Sequence, residues 1–299
     1  MLTYRARDKM PDEYVAQMEG KFLSEKDISL LVTGPTKILK PDGSPLLVYL
    51  PKAISLELRE QSYPILHTLK SSYTSNRGMA AGGARVKGPS ARSYAKEVDS
   101  AMIGASDPQG QRRYCRLTAW TRDSWEDWKG LWPLLNEISR HLAENVPDRY
   151  ANQALKAQAT APEWVIPGTP FTTVTVNNTY ATSVHTDKGD LNEGFSTLVV
   201  FREGEFKGGW LCLPAYRVAI DMQDCDLLLM DAHEFHGNTP FDPDPLRKPN
   251  GILEQDPGFE RISIVSYFRT KMTECGSAED EAQRAQVYAE NRLAAMVGE

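Results

Sequence analysis

The segment "SVHTDKGD", residues 183–190, sets His185 and Asp187 two positions apart, directly after a run that reads as strand. Residues i and i+2 of a strand face the same way, so this spacing brings an imidazole and a carboxylate to one point. Of the five histidines in the chain, His185, His233 and His236 fall within 52 residues. A third ligand is on offer in "DAHEFHGN", residues 231–238, after the apolar run "DLLLM", with His233 and His236 both available. Two imidazoles and a carboxylate on one face of an ion leave the opposite positions open, which suits ferrous iron that must also take a cosubstrate and oxygen. A zinc-protease reading is unsupported, because "HEFH" lacks the H-E-x-x-H spacing. By itself H-x-D is more often a polar strand end than a metal site. Further along, "RISIVSYF", residues 261–268, alternates as a strand does and puts Arg261 and Ser263 on one face. A guanidinium fork on a core strand needs an anion, and a dicarboxylic acid supplies one.

The elements that must hold these residues change character along the chain. "PLLVYL", residues 45–50, reads as a short buried strand ended by Pro51. The glycine-rich stretch 74–90 has no apolar period and reads as a loop. From Ser124 to about Ala159 the spacing of Trp125, Trp128, Leu131, Leu135, Ile138 and Leu142 predicts helix with a buried stripe. Asp123 or Ser124 is its N-cap, and Pro147 divides it in two. After Pro170 short β-branched runs follow one another: "FTTVTV", "STLVVF", "WLCLP", "RVAI", "DLLLM" and "RISIVSYF". Strands so short and closely spaced predict a sandwich or jelly roll. A last helix over 277–296 opens with Ser277 and Asp280 in capping-box spacing. The expected fold is therefore α+β, with helices packed on one β core in a single domain. Residues 1–169 give mixed helical support and basic loops, 170–270 the catalytic core and 271–299 the C-terminal helix.

The 299 residues carry a formal net charge of −6, which argues against a chain that coats nucleic acid by bulk electrostatics. The charge is unevenly spread: between Lys70 and Arg122 ten basic residues stand against three acidic ones, Glu97, Asp99 and Asp107. That stretch is a solvated loop or an anion-facing surface. Cys115, Cys212, Cys225 and Cys275 form no C-x-x-C pair and are expected to be reduced, mostly structural thiols. With no membrane-spanning run and no apolar leader core, an intracellular, soluble protein is expected.

The order H-x-D, H-G-N, then R-x-S on the last core strand resembles the 2-oxoglutarate and Fe(II)-dependent dioxygenases. The longer wording "TVTVNNTYATSVHTDKGD", "GGWLCLPAYRVAIDMQDCDLLLMDAHEFHGNTP" and "RISIVSYFR" is similar to the TET/JBP branch, which oxidises the 5-methyl group of pyrimidines in DNA, and most like its compact bacteriophage-type members. The likeness covers roughly 171–270 and, more loosely, 73–122. It implies a double-stranded β-helix (jelly-roll) core, with Fe(II), 2-oxoglutarate and O2 as cofactors. It implies that His185, Asp187 and His236 hold the iron, His236 being preferred to His233 because it precedes "GN". Arg261 and Ser263 then bind the distal carboxylate of 2-oxoglutarate, and Arg116 in "CRLT" its other carboxylate. Asp190, Tyr267 and Arg269 fall where relatives read or stack on the target base. The acid at 190 and the arginine at 269 depart from the asparagine and histidine of the animal enzymes, so cytosine recognition is not simply inherited. Asn177, on the strand leading to the site, is placed to touch cosubstrate or base, or to cap the strand end.

The implied partner is DNA carrying a 5-methylpyrimidine flipped out of the duplex, 5-methylcytosine being favoured and thymine an option. Arg77, Arg85 and Lys87 on the glycine-rich loop are the expected phosphate contacts. Neither a membrane nor a protein partner is expected, and for a bacteriophage-encoded chain the compartment is the host cytoplasm. Two alternatives stand beside this reading: a dioxygenase of free nucleotides or other small molecules, and a noncatalytic jelly-roll binding protein. The proline-rich excursion 239–260 between His236 and Arg261 is expected to be ordered, as a lid, a substrate clamp or a surface insertion.

Overall fold

Leu198 and Val200, Leu211 and Leu213, Val218 and Ile220, and Leu228 and Met230 are pairs two residues apart, and all eight enter one buried apolar cluster. Period-two burial of this kind is what builds a sheet with one face on a core. Burying one such side chain stabilises by about 1.5–3 kcal/mol, so the cluster is the main reason these short strands persist. The computed structural model describes residues 1–69, 80, 98–109, 112–248 and 253–297. Arg77, Arg85 and Lys87 lie outside the described residues.

Contacts divide the chain into two units, the first made of Met1–Ala101, Thr175–Lys188 and Ser196–Val265. Its main sheet takes the strands in the order Leu2–Arg5, Thr36–Leu39, Pro45–Leu50, Asp226–Met230, Ser196–Glu203, residues 260–265 and residues 175–178. Asp226–Met230 is antiparallel to both of its neighbours. A four-stranded sheet runs Gly237–Asn238, Leu211–Leu213, Val218–Ile220 and Leu30–Val32. Both sheets contribute to the same cluster, which makes the sandwich of a jelly roll. The helix Leu56–His67, which periodicity alone did not reveal, is capped by the Ser55 hydroxyl accepting from Leu58 N–H at 3.2 Å.

The excursion after His236 is anchored in this unit. Phe241 and Phe259 pack with Phe206, and Arg247 pairs with buried Asp99 at 3.1 Å.

The second unit comprises Met102–Val174, Gly189–Phe195 and Ser266–Glu299. The helix expected around 124–159 is three: Trp125–Gly130, Trp132–Asn145 and Pro147–Gln158. Pro147 breaks it as expected, with proline at the start of the last helix where a missing N–H costs nothing. Leu134, Leu135, Ile138 and Leu142 form the buried stripe, but Trp125 is 43% exposed and meets Trp132 edge-on. The terminal helix Ala278–Val297 begins with the capping box: Asp280 Oδ2 accepts from Ser277 N–H, and Ser277 Oγ accepts from Asp280 N–H. Gly104 has φ +86° and a Cβ there would meet the Thr172 carbonyl oxygen at 2.8 Å, so this strand needs a glycine.

The cysteine expectation is corrected here. Cys212 and Cys225 are buried thiols, pushed up to about 12 by burial, but Cys115 and Cys275 form a disulfide across 160 residues. Sequence separation hid a proximity created by the buried carboxylate of Glu281, which accepts from Cys115 N–H and Gly276 N–H at 2.7 and 2.8 Å. Among the described residues, no helix is long and apolar enough to cross a membrane.

Candidate metal centre

His185 and Asp187 do not lie on a strand. Their segment is irregular, and His185 forms a single antiparallel bridge to His236 through two backbone hydrogen bonds of 2.9 Å. The bridge, rather than strand alternation, brings the two imidazoles together, with ring centroids 4.4 Å apart. Asp187 is held by its N–H donating to the Ala232 carbonyl at 3.0 Å. Its Oδ1 lies 3.7 Å from His185 Nε2 and its Oδ2 3.6 Å from His236 Nε2. The three ligand atoms fall within 4.8 Å of one another, close enough to share one ion.

The other ring nitrogens are already committed. His185 Nδ1 donates to the Ser183 carbonyl at 2.7 Å and His236 Nδ1 to the Glu234 carbonyl at 2.9 Å. Protons on Nδ1 put the lone pair of each ring on Nε2, the arrangement that orients metal-bound histidines. His233 is held by Asp231, which accepts from its Nδ1 at 3.1 Å and its N–H at 3.2 Å. Tertiary structure thus separates the two histidines that spacing left equivalent. A Cβ on Gly237 would meet Val184 N at 2.8 Å, so the "HGN" glycine permits the close backbone approach beside the bridge.

Arg261 and Ser263 follow on Glu260–Tyr267, both 4% exposed. Arg261 Nη2 is buried with no hydrogen-bond partner. Burial and the like charge of Arg202 push its pKa down to about 10. A cation buried this way is costly until an anion meets it, and a carboxylate is what a guanidinium fork fits. Beside it runs a buried polar row: Ser100 Oγ donates to Asn177 Oδ1 at 2.6 Å, and Asn177 Nδ2 reaches Ser263 Oγ at 3.5 Å. Asn177 is therefore no strand-end cap. The residues present fit both an iron ion and a dicarboxylate cosubstrate.

The second unit holds the other expected residues. Asp190 and Arg269 form an isolated antiparallel bridge, reinforced by Thr270 N–H donating to the Gly189 carbonyl at 3.0 Å. Buried Gln153 ties the same segment down by accepting from Phe195 N–H at 3.1 Å. Arg269 Nη2 pairs at 3.2 Å with Asp107, itself 1% exposed, and Gln109 donates to the other oxygen of Asp107 at 2.6 Å. Burial would lower the Arg269 pKa, but Asp107, Tyr267 and Asp190 raise it overall. A Cβ on Gly189 would lie 2.3 Å from Arg269 Nη1, so the glycine is the floor on which the guanidinium rests. Tyr267, 7% exposed, ends the strand. Arg116 is half-buried and donates to the Tyr114 carbonyl at 3.3 Å; burial and neighbouring Arg112 lower its pKa. Asp107 and Gly189 escaped the sequence reading. For Asp107 a signal existed, an acid inside a strongly basic stretch.

Comparison with known proteins agrees with this geometry. A 171-residue stretch is 33% identical to "Thymine dioxygenase JBP1" of Trypanosoma brucei brucei, covering 57% of this chain and 19% of that protein. A longer match, 29% identical over 273 residues, is to "Bifunctional helicase and thymine dioxygenase JBP2" of the same species, covering 89% of this chain and 23% of the relative. The chain thus spans about a fifth of the length of these curated relatives. In fold it is similar to the solved structure "NgTET1 in complex with 5mC DNA", with a TM-score of 0.59 at 14% identity, covering 90% of this chain and 88% of that one. Residues 104–270 match the family Tet_JBP, described as the oxygenase domain of the 2OGFeDO superfamily. Fe(II), 2-oxoglutarate and O2 are the cofactors that this superfamily implies, and the donor set found here suits them. By that match, covering more than half of its length, the chain belongs to the Tet_JBP family of 2-oxoglutarate and Fe(II)-dependent oxygenase domains.

Proposed function

We propose that this protein is an Fe(II)- and 2-oxoglutarate-dependent dioxygenase that hydroxylates the 5-methyl group of a pyrimidine in DNA. The observation that carries the reading is an open His-Asp-His cluster with both Nδ1 atoms committed, in the same unit as a buried guanidinium with an unpaired nitrogen. When bound, Fe(II) and 2-oxoglutarate supply the activation of O2 that turns C–H into C–OH, with succinate and CO2 as co-products. The protein contributes placement. His185, Asp187 and His236 hold the metal on one face. Arg261 and Ser263 take the distal carboxylate of 2-oxoglutarate, with Asn177 donating to Ser263.

Duplex DNA hides its bases from such a centre, so the target base is flipped out, stacked on Tyr267 and read at its polar edge. Asp190 supplies an acceptor and Arg269 a donor. That pair suits thymine, whose N3–H donates and whose carbonyls accept. It also suits 5-methylcytosine, whose amino group donates and whose N3 and O2 accept. Thymine is supported by the names of the sequence relatives, and 5-methylcytosine by the DNA in the structural neighbour. Arg77, Arg85 and Lys87 hold phosphates while the base leaves the stack.

The test incubates the protein with Fe(II), 2-oxoglutarate and duplex containing either thymine or 5-methylcytosine, then analyses the nucleosides by mass spectrometry. A 5-hydroxymethyl nucleoside from one duplex, its yield falling steeply with salt, is expected. No product from either duplex overturns the reading. Equal turnover of free nucleotides, insensitive to salt, would move the substrate to small molecules.

A further inference from the structure

We propose that Lys40, assisted by Lys9, is a positioning residue for the metal ligand His236, so that the N-terminal segment sets the metal affinity of the site. The proposal rests on the assignment of His185, Asp187 and His236 as metal ligands. Lys9 and Lys40 both lie outside residues 104–270, the stretch matched to the family.

The argument starts at the turn 231–236. Glu234 N–H donates to the Asp231 carbonyl at 3.2 Å, and the Glu234 carbonyl accepts from His236 Nδ1 at 2.9 Å. The direction of the ligand imidazole therefore depends on where the turn holds the Glu234 carbonyl. Asp231 and Glu234 also bring two carboxylates indoors, 5% and 8% exposed. Two buried anions this close repel and carry a desolvation cost, so the turn needs a cation between them. Lys40 Nζ fills that place, 2.8 Å from Asp231 Oδ2 and 2.7 Å from Glu234 Oε1. Lys9 Nζ takes the remaining Glu234 oxygen at 3.0 Å and is itself steadied by Asp12 at 2.9 Å.

The network is held from the sheet side as well. Lys40 directly follows the strand Thr36–Leu39, which pairs with Pro45–Leu50, and in that second strand the Leu46 carbonyl accepts from Asp231 N–H at 3.0 Å. The same Asp231 holds the His233 ring. One pair of lysines thus fixes the turn, aims His236 and keeps the carboxylate that occupies the rival histidine.

The test titrates Co(II), a visible-absorbing stand-in for Fe(II), into the 299-residue chain and its variants, with circular dichroism and thermal melting of the metal-free proteins alongside. Wild type binds and His236→Ala does not. Lys40→Met weakens Co(II) binding about 10-fold, the lower end of what removing a partner behind a metal-bound histidine costs. Lys40→Arg recovers most of it, and Lys9→Met shows a smaller loss in the same direction. Wild-type Co(II) affinity in Lys40→Met, with only a lower melting temperature, would overturn the proposal by showing a purely structural role. If Lys40→Met does not fold, Lys9→Met decides, and unchanged affinity there is equally fatal. Equal binding by wild type and His236→Ala would instead remove the metal assignment itself, and this proposal with it.

Discussion

Arg261 and Arg269 stand eight residues apart, the first buried and the second partly so, yet they keep different company. Arg269 has an internal counter-ion, Asp107 at 3.2 Å, and its pKa is raised. Each has one buried nitrogen without a hydrogen-bond partner, Nη2 in Arg261 and Nε in Arg269, but Arg261 has a second arginine nearby and a pKa pushed down by burial. A guanidinium paired within the protein is part of the fold. On the proposed function, Arg261 meets its carboxylate partner only when the cosubstrate binds, and until then the fold carries the cost of its burial.

The largest effect expected from this contrast is at Arg261. Arg261→Met lowers 2-oxoglutarate affinity by about 100-fold or more, because a bidentate charge-assisted pair contributes about 3 kcal/mol. The same substitution raises the stability of the metal-free protein by about 1–4 kcal/mol, since an apolar residue replaces a buried charge whose burial outweighs the pull of Asp221. Calorimetric titration and urea unfolding measure the two, and a variant that loses stability would break the contrast.

Asp107→Asn is expected to act the other way, destabilising by about 1–3 kcal/mol because it strands a partly buried cation. Asp107→Asn/Arg269→Gln recovers part of the loss in a double-mutant cycle. Additive effects would show that the pair is not coupled.

A subtler probe is Gly189→Ala, which puts a methyl where Arg269 rests and costs about 1 kcal/mol. Its informative readout is the ratio of turnover on thymine and 5-methylcytosine duplexes. An unchanged ratio would remove Arg269 from base reading.

The smallest effect appears only in acid and concerns Asp231, another internally paired group. Burial would raise its pKa, but the bonds from His233 and Lys40 overcome that and hold it well below the usual carboxylate range. A depressed folded pKa contributes stability above the unfolded value, which is lost as pH falls through the folded one. Stability should therefore decline below about pH 4, and Asp231→Asn should flatten that limb in pH-dependent unfolding curves.

Much of the proposed centre was legible in the sequence because ligand chemistry depends on residue type. His185, Asp187, Arg261 and Ser263 stood out by kind and spacing alone, although the reason offered for the first pair was mistaken: a bridge to His236 replaces the expected strand. The counter-ions were not legible. Lys40 and Asp231 are 191 residues apart, and Arg269 and Asp107 are 162 apart. No local pattern joins such partners. A cue was nevertheless present, since two of the three acids in the basic stretch, Asp99 and Asp107, prove to be buried counter-ions of Arg247 and Arg269. The Cys115–Cys275 bond was missed for the same reason of distance along the chain.

Composition and period by themselves determined the jelly-roll strands, the proline break at 147, the capped last helix and the residue types of the candidate metal centre, because burial period, backbone restriction and ligand preference all act over a few residues. Only the tertiary structure decided that His236 rather than His233 faces Asp187, and that Arg269 is paired while Arg261 is not. Those outcomes depend on which distant groups share a low-dielectric interior, and charge pairing there is set by position in space rather than by position along the chain.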